Sequence, residues 1–280
     1  MIKIAAMGDN VVDCYLSTRR MYPGGNCLNV ATFVRRFGAG STYVGAIGDD
    51  AAGDAIQSAL TAEGIDTSRL RVLPGMTAYC IIGHHGADRV FLRANLGVSM
   101  FEPLPVDLDH IANYDAVHIG QSSGLDDHVG KAAAVTSISY DFSTRRDADH
   151  SARIAPNCFL ASISGGDAAK DDALGLLRRL LAQGARWVLV TRGRKGALLS
   201  NGSDVFEVDA RPVKAVDTLG AGDTFIARTL FGLLCDEHPR DILEAAAIAA
   251  GETCRYHGAI GHGRPLILGE PIPELDDTSA

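Results

Sequence analysis

The segment Asp217-Thr218-Leu219-Gly220-Ala221-Gly222-Asp223-Thr224-Phe225 gathers the residue types that phosphate chemistry needs. Gly220 and Gly222 carry no side chains, so backbone N–H groups there can converge on an anion. The apolar run from Thr224 to Leu234 reads as a helix. Its start adds unpaired donors and a dipole that favours negative charge. Asp223 beside this cradle can take a proton from an attacking hydroxyl. The Gly220, Ala221 and Gly222 amides can stabilise charge on a transferred phosphoryl group. Taken alone, the segment reads equally well as a Gly-rich turn with Asp223 capping the helix.

The elements that must position these residues follow from periodicity. Ile2 to Met7 reads as a buried strand, and Asn26 to Phe37 as a helix ended by Gly38 and Gly40. Ser41 to Ile47 is a strand and Asp50 to Glu63 a helix stopped by Gly64. Thr77 to Ile82 and Arg89 to Ala94 read as a hairpin around His84–Asp88, its mixed strands suiting a flap outside the main core. Residues 13–22 add a further strand to it. Strands then alternate with helices: 116–119, 137–142, 158–162 and 187–191 as strands, 129–135 and 168–183 as helices. A hairpin over 197–208 and two apolar helices, 224–234 and 242–256, close the chain. Such alternation implies an α/β fold with a mainly parallel sheet covered on both faces. One domain over residues 1–270 is expected, with a small β lid from about 13–22 and 77–94, and a tail over 271–280.

Composition narrows the function. The 280 residues carry a formal net charge of −8, which lacks the basic footprint of a nucleic-acid or anionic-membrane partner. No apolar run reaches the length of a membrane span. The six cysteines form no C-x-x-C pair and read as buried, reduced thiols of a cytoplasmic protein. The histidines at 84–85, 257 and 262 read as exposed loop residues rather than a metal set.

Three ordered segments together carry a resemblance. Asp217 to Asp223 matches D-T-x-G-A-G-D at every fixed position. Gly24-Gly25-Asn26-Cys27-Leu28-Asn29 resembles a Gly-Gly pair followed by Asn. Thr191-Arg192-Gly193-Arg194-Lys195-Gly196 resembles T-x-G-x-x-G. The chain thereby resembles the ribokinase-like (PfkB) carbohydrate kinase family over nearly its whole length. The resemblance implies a ribokinase-like three-layer sandwich, ATP as phosphoryl donor, and Mg2+. It implies Asp223 as base, with Gly220, Ala221 and Gly222 as anion hole. Asp13, Gly25, Asn26 and Asn29 would line the sugar pocket, and Asp141, at the end of a central strand, would point into it. Thr191, Gly193 and Gly196 would follow the ATP phosphates and ribose, and Gly251 and Cys254 would shelter the adenine.

One departure concerns the metal. Many relatives carry N-x-x-E after the strand corresponding to residues 158–162, whereas this chain reads Ser162-Ile163-Ser164-Gly165-Gly166-Asp167. The metal ligands are therefore left unassigned, with Mg2+ held mainly by phosphates and water. The Gly258–Gly261 segment lies where relatives hold a monovalent cation, which suggests K+. Within the family the chain resembles the fructoselysine 6-kinase branch, through Gly8-Asp9-Asn10, Asp141-Phe142-Ser143 and Tyr256-His257-Gly258-Ala259. An amine-linked sugar is the expected acceptor, with Asp9 or Asp88 meeting its ammonium group. A ribokinase- or fructokinase-type kinase is the alternative, as is a non-catalytic adenylate- or metabolite-binding protein. Exposed lid strands suggest a homodimer through the lid.

Overall fold

The computed structural model describes residues 1–85 and 88–268; of residues 84, 85 and 88–91 only the backbone is described. The middle of the turn expected at His84–Asp88 and the tail expected from residue 271 lie outside the described residues. The chain opens with β1 (Lys3–Met7), β2 (Val11–Tyr15), β3 (Arg20–Gly24), α1 (Asn26–Arg36), β4 (Gly40–Gly48), α2 (Ala51–Ala62) and β5 (Leu70–Leu73). It continues through β6 (Tyr79–His85), β7 (Asp88–Asn95), α3 (Pro105–Ile111), β8 (Ala116–Gly120), α4 (Val129–Ala133), β9 (Ser137–Asp141), α5 (Ala148–Ile154) and β10 (Cys158–Ser164). It closes with α6 (Lys170–Ala182), β11 (Trp187–Thr191), β12 (Ala197–Ser200), β13 (Val205–Val208), α7 (Ala221–Leu234), α8 (Pro239–Thr253) and β14 (Arg264–Pro265).

Nine strands form the central sheet in the order β13-β12-β11-β10-β9-β8-β1-β4-β5. All pairings from β11 to β5 are parallel, and β12 and β13 extend one edge antiparallel. The inner strands are apolar on both faces, as parallel strands between helical layers must be. Within β1, Ile4 and Ala6 enter one core, together with Leu28 and Val34 of α1 and Leu230 of α7. Ala5 and Met7 enter the other, together with Val129 of α4 and Leu177 of α6. The chain runs outward from β1 both ways, towards β4 and towards β8. This makes the C-terminal ends of β1 and β8 the switch point, where open α/β sheets hold ligands.

A second sheet, in the order β14-β3-β2-β6-β7, stands beside the first. The sequence reading set the flap outside the main core, and the structure corrects this. Val12, Cys14, Met21, Tyr79 and Ile81 are buried within the principal core, and α2 packs against β3. The opposite face carries Tyr15, Tyr22 and Ile82 as a small cluster of their own. Asp50 ties the two sheets together. It caps α2 through the Gly53 N–H at 2.8 Å and accepts from the Thr77 hydroxyl at 2.6 Å and N–H at 3.0 Å, just ahead of β6.

Several boundaries shift for local reasons. The last helix starts at Pro239, because His238 caps it and Pro suits its first position, and ends at Thr253 rather than at residue 256. The strands β5 and β14 and the seven-residue helices α3 and α5 were not expected. Each is too short or too exposed for periodicity to register. Cys14, Cys27, Cys158 and Cys254 are buried, but Cys235, expected to be buried, is exposed beyond the last turn of α7. No helix among the described residues is long and apolar enough to cross a membrane.

Candidate active site

The start of α7 is built by strict local requirements. Gly220 precedes it with φ +77°, and a Cβ there would lie 2.4 Å from the Ala259 Cβ. Only glycine meets both conditions without strain. Asp217 braces the turn: one oxygen accepts the Leu219 N–H at 3.0 Å, the other the Gly258 N–H at 3.1 Å and the Tyr15 hydroxyl. Tyr15 belongs to β2, so the lid sheet is joined directly to this turn. No side chain caps α7, and the Ala221 N–H makes a long contact, 3.4 Å, to the Thr218 carbonyl. At Gly222 a Cβ would meet no protein atom within 4 Å. The helix thus opens on free space with its dipole pointing outward.

Asp223, in the first turn of α7, is held by one face of α1. The Asn26 Nδ2 donates to its Oδ1 at 2.8 Å, and the Asn29 Nδ2 donates to its Oδ2 at 2.6 Å. These asparagines stand three apart, one above the other on the helix surface. The second Asn26 N–H reaches the Asp141 Oδ2 at 3.1 Å, at the C-terminal end of β9. The start of α1 is fixed in turn by Gly25, at φ +105°, where a Cβ would lie 2.6 Å from the Asn10 Cα. Asp9, from the switch-point loop after β1, supplies the missing cap. It accepts the Asn26 N–H at 3.0 Å, the Cys27 N–H at 3.3 Å and the Ser123 hydroxyl at 2.9 Å. Asp9 therefore has a structural task at the start of α1, beside which the expected contact with a substrate ammonium stays a proposal. The side chain of Asp88, the other residue expected there, lies outside the described residues.

The surroundings also contain acceptors without donors. Asn10 is 1% exposed and Asn29 3%, and the Oδ1 of each accepts no hydrogen bond. Across Gly24, an added Cβ would lie 2.5 Å from the Asp13 Oδ2 and 3.8 Å from the Asn29 Oδ1. Asp13, Asn10, Asn29, Asn26, Asp141 and Asp223 therefore share one neighbourhood above the switch point. Buried amide oxygens left unpaired are costly, so such a pocket favours a ligand rich in hydroxyl donors.

Burial pushes the Asp223 carboxyl up to about 6; the Asn29 and Asn26 hydrogen bonds oppose this and the Asp9 charge adds to it. Burial likewise raises Asp141 to about 7, opposed by the Ser143 N–H and Ser162 hydroxyl and aided by the charges of Asp223 and Asp9. Below its pKa Asp223 is protonated; acting as a base it would then be idle, and kcat/KM would fall on the acid side with a midpoint near pH 6. Stability moves oppositely. Both groups titrate above the ordinary 3.8, so the stability they contribute is complete below that value and declines as pH rises towards about 7. Rate profiles and thermal midpoints across pH 4 to 8, about the range in which carboxyls titrate when buried, check both signs.

Of the residues expected at the nucleotide end, Thr191, Gly193 and Gly196 lie at the end of β11 and the start of β12, and Gly251 and Cys254 at the end of α8. Thr191 ends β11, and its carbonyl accepts the Gly165 N–H at 2.6 Å. Gly193 follows at φ +52°. Gly196 has a packing reason instead: a Cβ there would lie 1.8 Å from the Val208 carbonyl oxygen, inside the β12–β13 hairpin. Gly251 lies in the last turn of α8. Cys254 caps that helix, and its carbonyl accepts the Val216 and Asp217 N–H groups at 2.8 and 3.2 Å, which ties α8 to the turn before α7. Asp167 is exposed, and its carbonyl accepts from the Lys195 Nζ at 2.7 Å. Among the described residues no group of three or more His, Cys, Asp or Glu is arranged to hold a metal.

Sequence reading missed two residues in this neighbourhood. His118 on β8 contacts the Asn26 Oδ1 at 2.9 Å, and Ser139 on β9 contacts His118 at 2.9 Å. The available signal was a histidine inside an otherwise apolar, fully buried strand, Ala116 to Gly120.

A helix start without a side-chain cap, with a carboxylate in its first turn, suits transfer of a phosphoryl group to an alcohol. The chain belongs to the pfkB family of carbohydrate kinases, which it matches over residues 1–144 and 149–265. It is 34% identical to the fructosamine kinase FrlD of Bacillus subtilis (strain 168), covering 95% of this chain and 96% of that one. It is 32% identical to the fructoselysine 6-kinase of Escherichia coli (strain K12), covering 92% and 100%. Its fold is that of a protein described as ribokinase II from E. coli, solved with ATP and Mg2+. The TM-score is 0.80 and the identity 21%, over 93% of this chain and 95% of that one.

Proposed function

We propose that this carbohydrate kinase transfers the γ-phosphoryl group of ATP to a hydroxyl of an amine-linked sugar, a fructosamine such as fructoselysine. Asp223 is the general base. The observation that carries this is the Asp223 carboxylate itself, beside the uncapped start of α7 with each oxygen held by one asparagine. In the step, the acceptor O–H gives its proton to Asp223 and its oxygen bonds to the γ-phosphorus. The bond from that phosphorus to the ADP oxygen breaks, and ADP leaves with the electron pair. The Gly220–Gly222 turn stabilises charge on the transferred group.

Asp13, Gly25, Asn26, Asn29 and Asp141 line the sugar pocket in this reading, with the unpaired Asn10 and Asn29 oxygens ready for sugar hydroxyls. Thr191 and Gly193 follow the nucleotide phosphates, and Gly251 and Cys254 border the adenine. Mg2+ would arrive with ATP and keep mainly phosphate and water ligands. The Gly258–Gly261 turn, fastened to Asp217, is the place for K+. Six cysteines outside any disulfide fit a reducing, cytoplasmic setting. The open edge strand β7, with Leu92 exposed, is the surface through which two lids would pair.

The acceptor is tested by ADP release from ATP and Mg2+ with fructoselysine, free fructose and ribose. Fructoselysine is expected to give a kcat/KM at least about tenfold above either free sugar, the scale on which unpaired polar contacts discriminate. Faster turnover of fructose or ribose would move this chain to the fructokinase or ribokinase type. Repeating the assay in KCl and NaCl reads out the cation, and equal rates remove it. Sedimentation with Leu92→Lys tests the lid dimer, which is lost as an idea if the wild type is monomeric.

A further inference from the structure

His118 is 0% exposed in the centre of the sheet and takes no direct part in the proposed reaction. Its two ring nitrogens meet Asn26, which goes on to Asp223, and Ser139. Its Nε2 lies 2.9 Å from the Asn26 Oδ1 and its Nδ1 2.9 Å from the Ser139 Oγ. The roles of these atoms follow from the far end of the chain. Asp141 and Asp223 are acceptors when ionised, so Asn26 must turn its NH2 towards them and its oxygen towards His118. An oxygen there requires a proton on Nε2. Nδ1 is then an acceptor, and the Ser139 hydroxyl must donate to it. Burial lowers His118 to about 3, so the ring is neutral throughout the working range and keeps one proton to place. Gly120, two residues along the same strand face, completes the fit: a Cβ there would lie 2.3 Å from the Asn26 Oδ1.

We propose that His118 is a positioning residue for phosphoryl transfer. Its Nε2–H locks the Asn26 amide so that one N–H goes to Asp141 and the other to Asp223. Without that lock the amide can rotate, presenting its oxygen to two carboxylates. This would push Asp223 away from its productive rotamer and disfavour its ionised form. This rests on the reading of Asp223 as the base, but concerns residues that never reach the substrate.

The test compares His118→Leu, which keeps bulk and loses the donor, with His118→Gln, whose amide nitrogen can replace Nε2–H, and with Ser139→Ala. His118→Leu is expected to lower kcat on the order of tenfold or more, since small misplacements of reacting groups carry that scale of loss. The KM for ATP should stay near wild type. The acid midpoint of kcat/KM should move upward by about half a pH unit or more, because the charged base has lost a donor. His118→Gln should recover most of the rate, and Ser139→Ala should show a smaller loss with the same upward shift. Asp9 and Asp141 also bear on Asp223, so the shift between variants is the readout rather than the absolute midpoint. A purely structural role would lower the thermal midpoint and leave the acid midpoint of the folded fraction in place, which overturns the proposal. Equal defects in His118→Leu and His118→Gln also overturn it. If His118→Leu does not fold, Ser139→Ala decides alone, and a wild-type profile there is contrary. Asp223→Asn separates the two levels. Activity in that variant removes the underlying reading, whereas a dead Asp223→Asn with wild-type His118 variants removes only this proposal.

Discussion

Asp223→Asn is expected to lower kcat/KM for the sugar acceptor by about a thousandfold, within the range that positioned acid–base groups supply, while ATP still binds. The substitution is nearly isosteric, but an amide cannot take a proton from a hydroxyl. It also sets one N–H group against the donors of Asn26 or Asn29, which hold the two carboxylate oxygens at 2.8 and 2.6 Å. Some of the loss is therefore misorientation, and Asp223→Ala separates the two: it removes the base without adding a donor and should be comparably inactive. ATP affinity, read by fluorescence titration, should change less than about threefold in either variant, because the anion site depends on backbone groups. A non-catalytic binding protein on the same fold would show no acceptor-dependent ADP release even as wild type.

The second large effect concerns two glycines in the same turn that act for different reasons. Gly220 is required by the fold, through its φ of +77° and the 2.4 Å approach to Ala259. Gly220→Ala is expected to cost about 1–3 kcal/mol of stability, the usual scale for a residue forced into sparsely allowed backbone space, and activity with it. Gly222 has no such need, because its Cβ would meet nothing in the protein. Gly222→Ala should leave the unfolding free energy unchanged or raise it by up to about 1 kcal/mol, as Ala in place of helical Gly does. It should nevertheless reduce kcat/KM by about ten- to a hundredfold, because the methyl group occupies space meant for a phosphoryl oxygen near the amides. A fully active Gly222→Ala enzyme would place the transferred group elsewhere.

The turn at the start of α7 was legible because what builds it is contiguous: two glycines, a helix start and a carboxylate within Asp217 to Asp223. The two asparagines of α1 were legible for a similar reason, as polar residues three apart on an otherwise apolar helix. The links between segments were not. His118 meets Asn26 across 92 residues of chain, and Ser123 meets Asp9 across 114. No local pattern encodes such pairings. Asp9 is an example: its task of capping α1 could not be read from its place after the first strand. Tyr15 likewise looked like a lid residue and proves to brace Asp217. The lid strands were legible, but not that one face of β2 and β6 joins the principal core through Val12, Cys14, Tyr79 and Ile81, because only the mixed average is visible in sequence. Among the elements, the long periodic helices were read to within a few residues. The seven-residue α3 and α5 offered less than two turns of pattern and were invisible.

The most direct measurement follows ATP and fructoselysine together by phosphorus NMR, with wild-type enzyme and with Asp223→Asn. The account predicts one phosphomonoester of fructoselysine formed for each ADP released, and loss of both signals in the variant. ADP release without a phosphomonoester, or a phosphomonoester formed at an unchanged rate by Asp223→Asn, would contradict it.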